Sequence, residues 1–330
     1  MSRPNLFEFA TSELSQDAVL CWLASWAGPE AAGSDPRLAA LGRQFLAALF
    51  KKHARKLPEV ISDLNVRRQH KNIDILITIN SQYAVCIEDK VGTIEHSDQL
   101  TRYIEALTSD GFSEDNTLPV YVQTYEQGTY AGVKKAGYSV LSRADLLEIL
   151  RPYADENGNA IVNDFYRHLD EVDREVKAFR THPLAEWPCL SWQGFFCELQ
   201  SKLLDGEWGY VPNQSGGFMG YWWNGRRDHD SEQYLQLEKS TLCFKVSVDD
   251  VAKRAGVRDR WVERILQAAR ELNFDLVRPA RLGRGQTMTV ACFNGDYRVA
   301  GGGGALDTDG TVARLRRAQE VLSHATPTVP

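Results

Sequence analysis

Residues 72–90 read NIDILITINSQYAVCIEDK, and this segment contains the clearest structural pattern in the chain. Isoleucine occupies every second position from Ile73 to Ile79, which predicts a strand with the isoleucines on one face and Asp74 on the other. Residues 83–90 predict a second strand. The connection Asn80-Ser81-Gln82 has a common hairpin length, so the segment is predicted to fold as a β-hairpin.

The register of this hairpin brings two carboxylates together. A turn centred on Ser81 places Ile79 opposite Tyr83 and Asp74 opposite Glu88. Carboxylates at directly opposed positions lie about 5 Å apart at Cβ and repel each other. A divalent cation between them would offset the repulsion, and carboxylate oxygens are ligands that suit Mg²⁺. We therefore predict a metal site, whereas a register slipped by one residue would leave both acids solvated.

Lys90 belongs to the same predicted site. It follows Glu88 by two residues and therefore shares its face of the strand. An ammonium group at this position could orient or help to deprotonate a water molecule, or stabilise charge on a phosphate. The alternative is an ordinary lysine at the end of a strand.

Helices and further strands are predicted around the hairpin. Ser12 is a candidate N-cap for a helix over residues 13–27, and Asp35 for a helix over residues 36–56. The other predicted elements are strands between residues 60 and 90, a helix at 94–107, strands at 118–124 and 138–141, and a helix up to 150 opened by the capping box Ser142-Arg-Ala-Asp145. One sheet flanked by helices indicates an α/β domain, which we assign to residues 1–153.

The second half of the chain has a different pattern. Residues 154–186 combine a polar break with a long charged helix and are predicted to be a helical linker. Residues 187–330 combine an aromatic-rich helix, several strand-like runs and further helices, which indicates a C-terminal α+β domain. We expect this domain to serve substrate selection or assembly, which could include a homo-oligomer.

Three motifs together resemble the PD-(D/E)XK nuclease superfamily. They are Asp74, the strand motif Glu88-Asp89-Lys90, and Gln99-Leu-Thr-Arg-Tyr103, which is similar to the Q-x-x-x-Y motif of RecB-like members. Gln99 and Tyr103 are four residues apart and share one face of a helix, although surface polar groups would show the same spacing. Glu13 resembles the additional helix-borne acid of many members. The resemblance covers about residues 10–150 and implies a restriction-endonuclease-like core with a mixed central sheet.

The resemblance implies hydrolysis of phosphodiester bonds. Asp74 and Glu88 would hold Mg²⁺ or Mn²⁺, with the main-chain carbonyl of Asp89 and the carboxylate of Glu13 as further ligands. Lys90 would position the attacking water, and the Q-x-x-x-Y side chains would orient the substrate or the lysine. Most members act on DNA, so we expect a metal-dependent endodeoxyribonuclease of restriction or anti-phage defence. An RNase of the same fold remains open.

The charge distribution is compatible with a nucleic-acid partner. The net charge is −6, but residues 51–71 contain seven Lys and Arg against two acids. Arg67, Arg68 and Lys71 precede the first acidic strand and could contact a nucleic-acid backbone. His96 could contact a phosphate. Charged groups that are simply solvated at a strand end are the equal alternative.

A competing motif lies in the second half. Residues 248–266 resemble the helix-turn-helix of lac-repressor-type regulators, with Gly256 in the turn. A single helix packed on a sheet and kinked at Gly256 is the favoured alternative. The motif supports a second functional hypothesis, in which the chain is a non-catalytic DNA-binding protein on a nuclease-like scaffold.

The composition excludes several other classes of protein. Hydrophobic residues make up 43% of the chain and charged residues 25%, which is typical of a soluble globular protein. No apolar run reaches the roughly 20 residues that span a bilayer, and the start of the chain lacks a signal-peptide pattern. The six cysteines are scattered, which favours buried thiols in a reducing cytoplasm.

Overall fold

The computed structural model describes residues 4–92, 99–213 and 216–326. The contacts within the chain divide it into two units, Met1–Arg174 and Glu175–Pro330. Each unit contains a sheet of its own and its own buried apolar clusters. None of the helices in the described part of the chain combines the length and the apolar character needed to cross a membrane.

The first unit is a mixed sheet flanked by helices, which confirms the predicted fold class. Its strands follow the order β1-β2-β3-β4-β5, with antiparallel pairing from β1 to β3 and parallel pairing from β3 to β5. The elements are α1 (Glu13–Ser25), α2 (Pro36–Lys52), β1 (Leu64–His70), β2 (Ile73–Ile79), β3 (Tyr83–Lys90), α3 (Gln99–Ser109), β4 (Thr117–Gln123), α4 (Ala131–Lys135), β5 (Ser139–Ser142), α5 (Arg143–Leu150) and α6 (Ala160–Lys177).

The predicted hairpin register is confirmed along β2 and β3. Ile79 pairs with Tyr83, and the pairing continues without a shift to Ile75 and Ile87. The isoleucines from Ile75 to Ile79 pack on the α1 and α2 side of the sheet. Ile73 does not follow this row and packs in the cluster on the α3 side. The strand enters at this point from a tight turn in which Lys71 and Asn72 both have positive φ, so the alternation does not extend to its first residue.

The helix caps agree with the sequence pattern. The side chain of Ser12 accepts a hydrogen bond from the backbone N–H of Ser15, and Asp35 caps α2 with Pro36 in its first turn. The capping box of Ser142 and Asp145 is present at the start of α5. The helix predicted at 94–107 begins outside the described residues. Helix α4 and the strand Glu207–Val211 of the second unit were not predicted.

The second unit is an antiparallel sheet with helices on one face. Its strands follow the order β10-β11-β9-β8-β7-β6, and α7, α8 and α9 contribute to the apolar cluster on this sheet. The elements are α7 (Ser191–Leu203), β6 (Glu207–Val211), β7 (Phe218–Arg227), β8 (Glu232–Glu238), β9 (Thr241–Ser247), α8 (Arg254–Glu271), β10 (Leu276–Val277), β11 (Thr287–Phe293), the short pair β12 (Val299–Ala300) and β13 (Leu306–Asp307), and α9 (Thr308–Ala325).

Within the segment that has the helix-turn-helix pattern, residues 254–266 belong to one helix, α8, and residues 251–253 form a turn before it. Gly256 lies within the first turn of this helix rather than between two helices. Trp261 and Ile265 are fully buried in the apolar cluster, so the face that would have to enter a DNA groove packs on the sheet instead. The helix-turn-helix interpretation is therefore wrong.

Candidate active site

Glu88 lies at the centre of the site, near the carboxyl end of β3. Its side chain is fully buried. Its Oε1 accepts hydrogen bonds from Lys90 Nζ at 2.6 Å and from Gln99 Nε2 at 3.1 Å. Its Oε2 is also buried but has no hydrogen-bond partner. One oxygen of this carboxylate is therefore held in place, and the other is available to a ligand.

Asp74 approaches Glu88 from the neighbouring strand. Its Oδ2 accepts a hydrogen bond from the backbone N–H of Asp89 at 3.0 Å, and its Oδ1 accepts one from Gln69 Nε2 at 3.1 Å. The two carboxylates are close enough for Asp74 to raise the pKa of Glu88. The structure thus brings together the two acids that the hairpin register places opposite each other.

The environment of Glu88 makes its charged form costly. Burial raises its pKa from the ordinary value of 4.5 to about 7, and the hydrogen bond from Lys90 offsets only part of this effect. The negative charge of Asp74 raises the pKa further. A cation bound beside these groups would remove much of the penalty, because opposite charge favours the ionised carboxylates.

Lys90 connects Glu88 to the first helix. Its side chain is 11% exposed, and its Nζ lies 3.9 Å from Glu13 Oε2. Glu13 Oε1 accepts a hydrogen bond from the backbone N–H of Val91 at 3.4 Å. Burial lowers the pKa of Lys90, but the hydrogen bond to Glu88 and the negative charges of Glu88, Glu13 and Asp74 together outweigh burial, so the pKa is raised. The lysine is therefore held as an ammonium group between two carboxylates, and Glu13 reaches the site.

Gln99 and Tyr103 face the sheet from α3. Gln99 Nε2 donates hydrogen bonds both to Glu88 Oε1 and to the hydroxyl oxygen of Tyr103. Burial raises the pKa of the Tyr103 hydroxyl, so this group stays neutral. The pair therefore helps Lys90 to fix the orientation of Glu88 Oε1.

The side chain of Asp89 points to the other face of the sheet. It is fully buried against α1, where Gln16 Nε2 donates a hydrogen bond to its Oδ1 at 2.6 Å. Burial raises the pKa of Asp89 well above its ordinary value and that of the neighbouring Asp17 to about 6. This side chain therefore fixes the end of β3 against α1, on the face of the sheet opposite to Glu88. The predicted role of Asp89 as a metal ligand concerns its main-chain carbonyl.

The polar residues on α1 were not found from the sequence. Gln16 and Asp17 are buried in a helix whose other buried positions are apolar, and this exception to the pattern was the available signal.

A further residue missed by the sequence analysis is Gln123 at the end of β4. It is paired in parallel register with Lys90, just as Tyr121 is paired with Glu88. Because alternate residues share a face, Gln123 lies on the same face as Lys90. Its side chain is 2% exposed, and its Oε1 has no hydrogen-bond partner. The only signal in the sequence was a glutamine near the end of a run of mostly apolar residues that predicts a buried strand.

The residues predicted to contact a nucleic acid differ in their surroundings. Lys71 forms an ion pair with Asp110. Arg68 Nη1 donates a hydrogen bond to the Leu14 carbonyl at 3.4 Å, and Arg67 is exposed. His96 lies outside the described residues.

The donor set fits a hard cation with few protein ligands. Within residues 4–92, 99–213 and 216–326, no group of three or more His, Cys, Asp and Glu side chains is arranged to hold a metal ion. Asp74 and Glu88 nevertheless supply opposed carboxylates, and Glu88 Oε2 is buried without a partner. Mg²⁺ is commonly bound by one or two carboxylates, with water and substrate oxygens completing its coordination.

The comparisons with known proteins concern the part of the chain that contains this site. A family model described as the PD-(D/E)XK nuclease superfamily matches residues 4–182, which is more than half of the chain. The matched span includes Glu13, Asp74, Glu88 and Lys90. Searches of curated proteins and of solved structures found no match.

Proposed function

Because the chain belongs to the PD-(D/E)XK nuclease superfamily, we propose that it is a metal-dependent endonuclease that hydrolyses phosphodiester bonds in DNA. Nucleases of this superfamily generally use divalent cations, and the site has hard oxygen donors for one. A role in restriction or anti-phage defence is proposed on analogy with the superfamily alone.

Each polar side chain then has a distinct role. Asp74 and Glu88 would hold Mg²⁺ or Mn²⁺, together with the Asp89 carbonyl. Glu13 does not form a three-carboxylate group with them and would instead hold Lys90. The bound cation would supply a more acidic water and neutralise charge on the scissile phosphate. Lys90 would orient the attacking water, because its ammonium group projects beside Glu88 on the same face.

Three further residues would fix the positions of these groups. Gln99 holds Oε1 of Glu88 and thereby directs Oε2 towards the ligand. Its hydrogen bond to Tyr103 keeps the amide in this orientation. Gln123 could accept a hydrogen bond from Lys90 once Glu88 is engaged by a cation, since its Oε1 is buried on the neighbouring strand.

One observation carries the proposal. Glu88 is a fully buried carboxylate with an unpartnered oxygen, next to a second acid and an ammonium group. An unsatisfied buried acceptor costs about 1–3 kcal/mol and more when it is charged, so such a group needs a functional reason. A non-catalytic DNA-binding protein has no need of this arrangement.

The test is a cleavage assay with a matched lysine control. Supercoiled plasmid, linear duplex, single-stranded DNA and RNA would be incubated with the protein in Mg²⁺, Mn²⁺ or EDTA. Lys90→Ala is compared with Lys245→Ala, because Lys245 also lies 2.6 Å from a glutamate oxygen and is also 11% exposed. We expect Lys90→Ala to lower cleavage by at least about 100-fold, the size of effect seen when one positioned charge-stabilising group is removed.

The possible outcomes separate the functional hypotheses. Cleavage of DNA that EDTA and Lys90→Ala abolish, but Lys245→Ala retains, supports the proposal. Cleavage of RNA alone would reassign the substrate. Binding of duplex DNA without cleavage under any metal condition would favour the non-catalytic DNA-binding protein.

A further inference from the structure

The two units differ in the balance of their charges. Residues 1–174 contain 18 Lys and Arg against 25 Asp and Glu, whereas residues 175–330 contain 20 against 19. Duplex DNA carries one negative charge per about 1.7 Å of its axis, and its binding depends on cations that neutralise phosphates. The unit with the candidate active site therefore carries a net negative charge, and the second unit has the charge balance that better suits phosphate binding.

An arginine-rich connection joins β10 to β11. Residues 278–286, here called the arginine loop, read RPARLGRGQ. Arg278, Arg281 and Arg284 are exposed, whereas Pro279 and Leu282 are half-buried. Leu282 packs against the apolar cluster of the second unit. An arginine therefore occurs at every third position of the loop and is exposed to solvent, whereas the apolar residues that follow the first two arginines are half-buried.

The backbone of the arginine loop is held at two points. Arg258 Nη1 donates a hydrogen bond to the Gly283 carbonyl at 2.9 Å. The Gln286 carbonyl accepts one from the backbone N–H of Val248 at 2.9 Å, and the Gln286 side chain donates to Asp249 Oδ1 at 2.7 Å. Anchoring of this kind lowers the entropy that the loop would lose on binding a ligand.

Several cations in α8 or just before its start are already engaged, in contrast to those of the loop. Lys253 forms an ion pair with Asp230 at 2.9 Å, and Arg264 stacks over the Trp261 ring at 5.4 Å. Arg258 pairs with an adjacent aspartate. Across the residues that the structure describes, the three loop arginines have no ion pair and no hydrogen bond through their side chains.

From these observations we infer that the arginine loop binds the phosphate backbone of duplex DNA. Each guanidinium group offers five donors in a planar fork that matches phosphate oxygens. The loop contains no aromatic side chain on which unpaired bases could stack, which favours a duplex over a single strand. The inference goes beyond the proposed nuclease activity and rests on it only for the choice of DNA as the ligand.

The test measures binding in the absence of cleavage. Fluorescence anisotropy is recorded with the full chain in EDTA over a series of salt concentrations. The labelled probes are a DNA duplex of about 30 base pairs and, for comparison, single-stranded DNA and duplex RNA of the same length. The triple variant Arg278→Ala, Arg281→Ala, Arg284→Ala is compared with Arg227→Ala, Lys239→Ala, Arg270→Ala. The second set removes the same charge from three exposed positions of the same unit, which lie at the end of β7, in the turn between β8 and β9, and in α8.

We expect the loop variant to lose phosphate contacts that the control retains. The slope of log K against log salt should fall by about 2.7, since each lost contact contributes about 0.9 on duplex DNA. Binding at about 0.1 M salt should weaken at least 10-fold. The triple Arg→Lys variant of the loop should keep the salt slope because it keeps the charge, and it should lose part of the affinity because an ammonium group lacks the planar fork of donors. The triple Arg→Gln variant should lose the same contacts as the alanine variant, and it serves if the alanine variant fails to fold.

Three results would overturn the inference. They are an unchanged slope in the loop variant, an equal loss in the control variant, and a loss confined to single-stranded DNA or to duplex RNA. Because binding is measured in EDTA, a chain that binds through the loop but cleaves nothing would contradict the nuclease proposal and leave this inference intact.

Discussion

Replacing Glu88 by glutamine should stabilise the protein while it abolishes metal binding. The side chain is fully buried, and its pKa is raised to about 7 from 4.5. The variant Glu88→Gln keeps the shape of the side chain and an oxygen that can accept the hydrogen bond from Lys90. It removes only the charge, so the difference in free energy of unfolding between the variant and the wild type measures how much the ionised carboxylate destabilises the protein in the absence of a cation.

The sign and size of the effect follow from the pKa. In the folded state Glu88 stays protonated up to about pH 7, and in the unfolded state only up to about pH 4.5. The wild type therefore loses stability as the pH rises through this window. The shift corresponds to about 3 kcal/mol above pH 7. For a unit of this size, that free energy corresponds to a melting temperature higher by roughly 6 to 12 °C in Glu88→Gln.

The assay is thermal unfolding in EDTA at pH 5 and pH 8. We expect the variant and the wild type to differ little at pH 5 and by the full amount at pH 8. Mg²⁺ should then raise the melting temperature of the wild type and leave that of the variant unchanged. Glu238→Gln is the control, because Glu238 also pairs with a lysine but is 29% exposed. A variant no more stable than the wild type at pH 8 would refute the argument that burial penalises Glu88.

Three further predictions concern other parts of the chain. Gln123→Met should leave the melting temperature unchanged or raise it, because a buried unpartnered acceptor is removed. The kcat of cleavage should fall about 10-fold at constant KM. A lower melting temperature would show that the amide already has a partner. Gly42→Ala should lower the free energy of unfolding in urea by about 2 kcal/mol, since its Cβ would lie 2.6 Å from the backbone N of Ala27. Gly256→Ala should raise this free energy by about 0.5–1 kcal/mol, because the position is helical and nothing lies within 4 Å of the added Cβ; a loss would revive the turn assigned to Gly256 by the helix-turn-helix pattern.

The parts of the fold that could be predicted from the sequence are those with local causes. The register of β2 and β3 follows from a three-residue connection and the isoleucine alternation, and both lie within residues 72–90. The caps at Ser12, Asp35 and Ser142 depend on neighbouring residues only. The register and the caps could therefore be predicted without knowledge of the tertiary contacts.

The remaining features depend on contacts between distant segments. Gln123 reaches Lys90 through parallel pairing of β4 with β3, and no local pattern sets that register. The contact of Gln16 with Asp89 joins residues 73 positions apart. The start of α8 has a local resemblance to a helix-turn-helix, but burial of Trp261 on the sheet overrides it. Tertiary packing decided each of these cases.

The distribution of unsatisfied polar atoms supports the location of the site independently of the motifs. Among the described residues of the first unit, the buried side-chain atoms without a hydrogen-bond partner belong to Asp17, Glu88, Asp89, Gln123 and Thr124. All of these residues lie at the carboxyl ends of β3 and β4 or contact them from α1. Natural proteins satisfy most buried polar groups, and exceptions concentrate where function requires them. Glu88 and Gln123 lie on the face of the candidate site, whereas Asp89 and Asp17 hydrogen-bond each other on the opposite face. A ligand bound at the site could therefore recover the energetic cost of Glu88 and Gln123, and variants that make the site more stable should also make it less active.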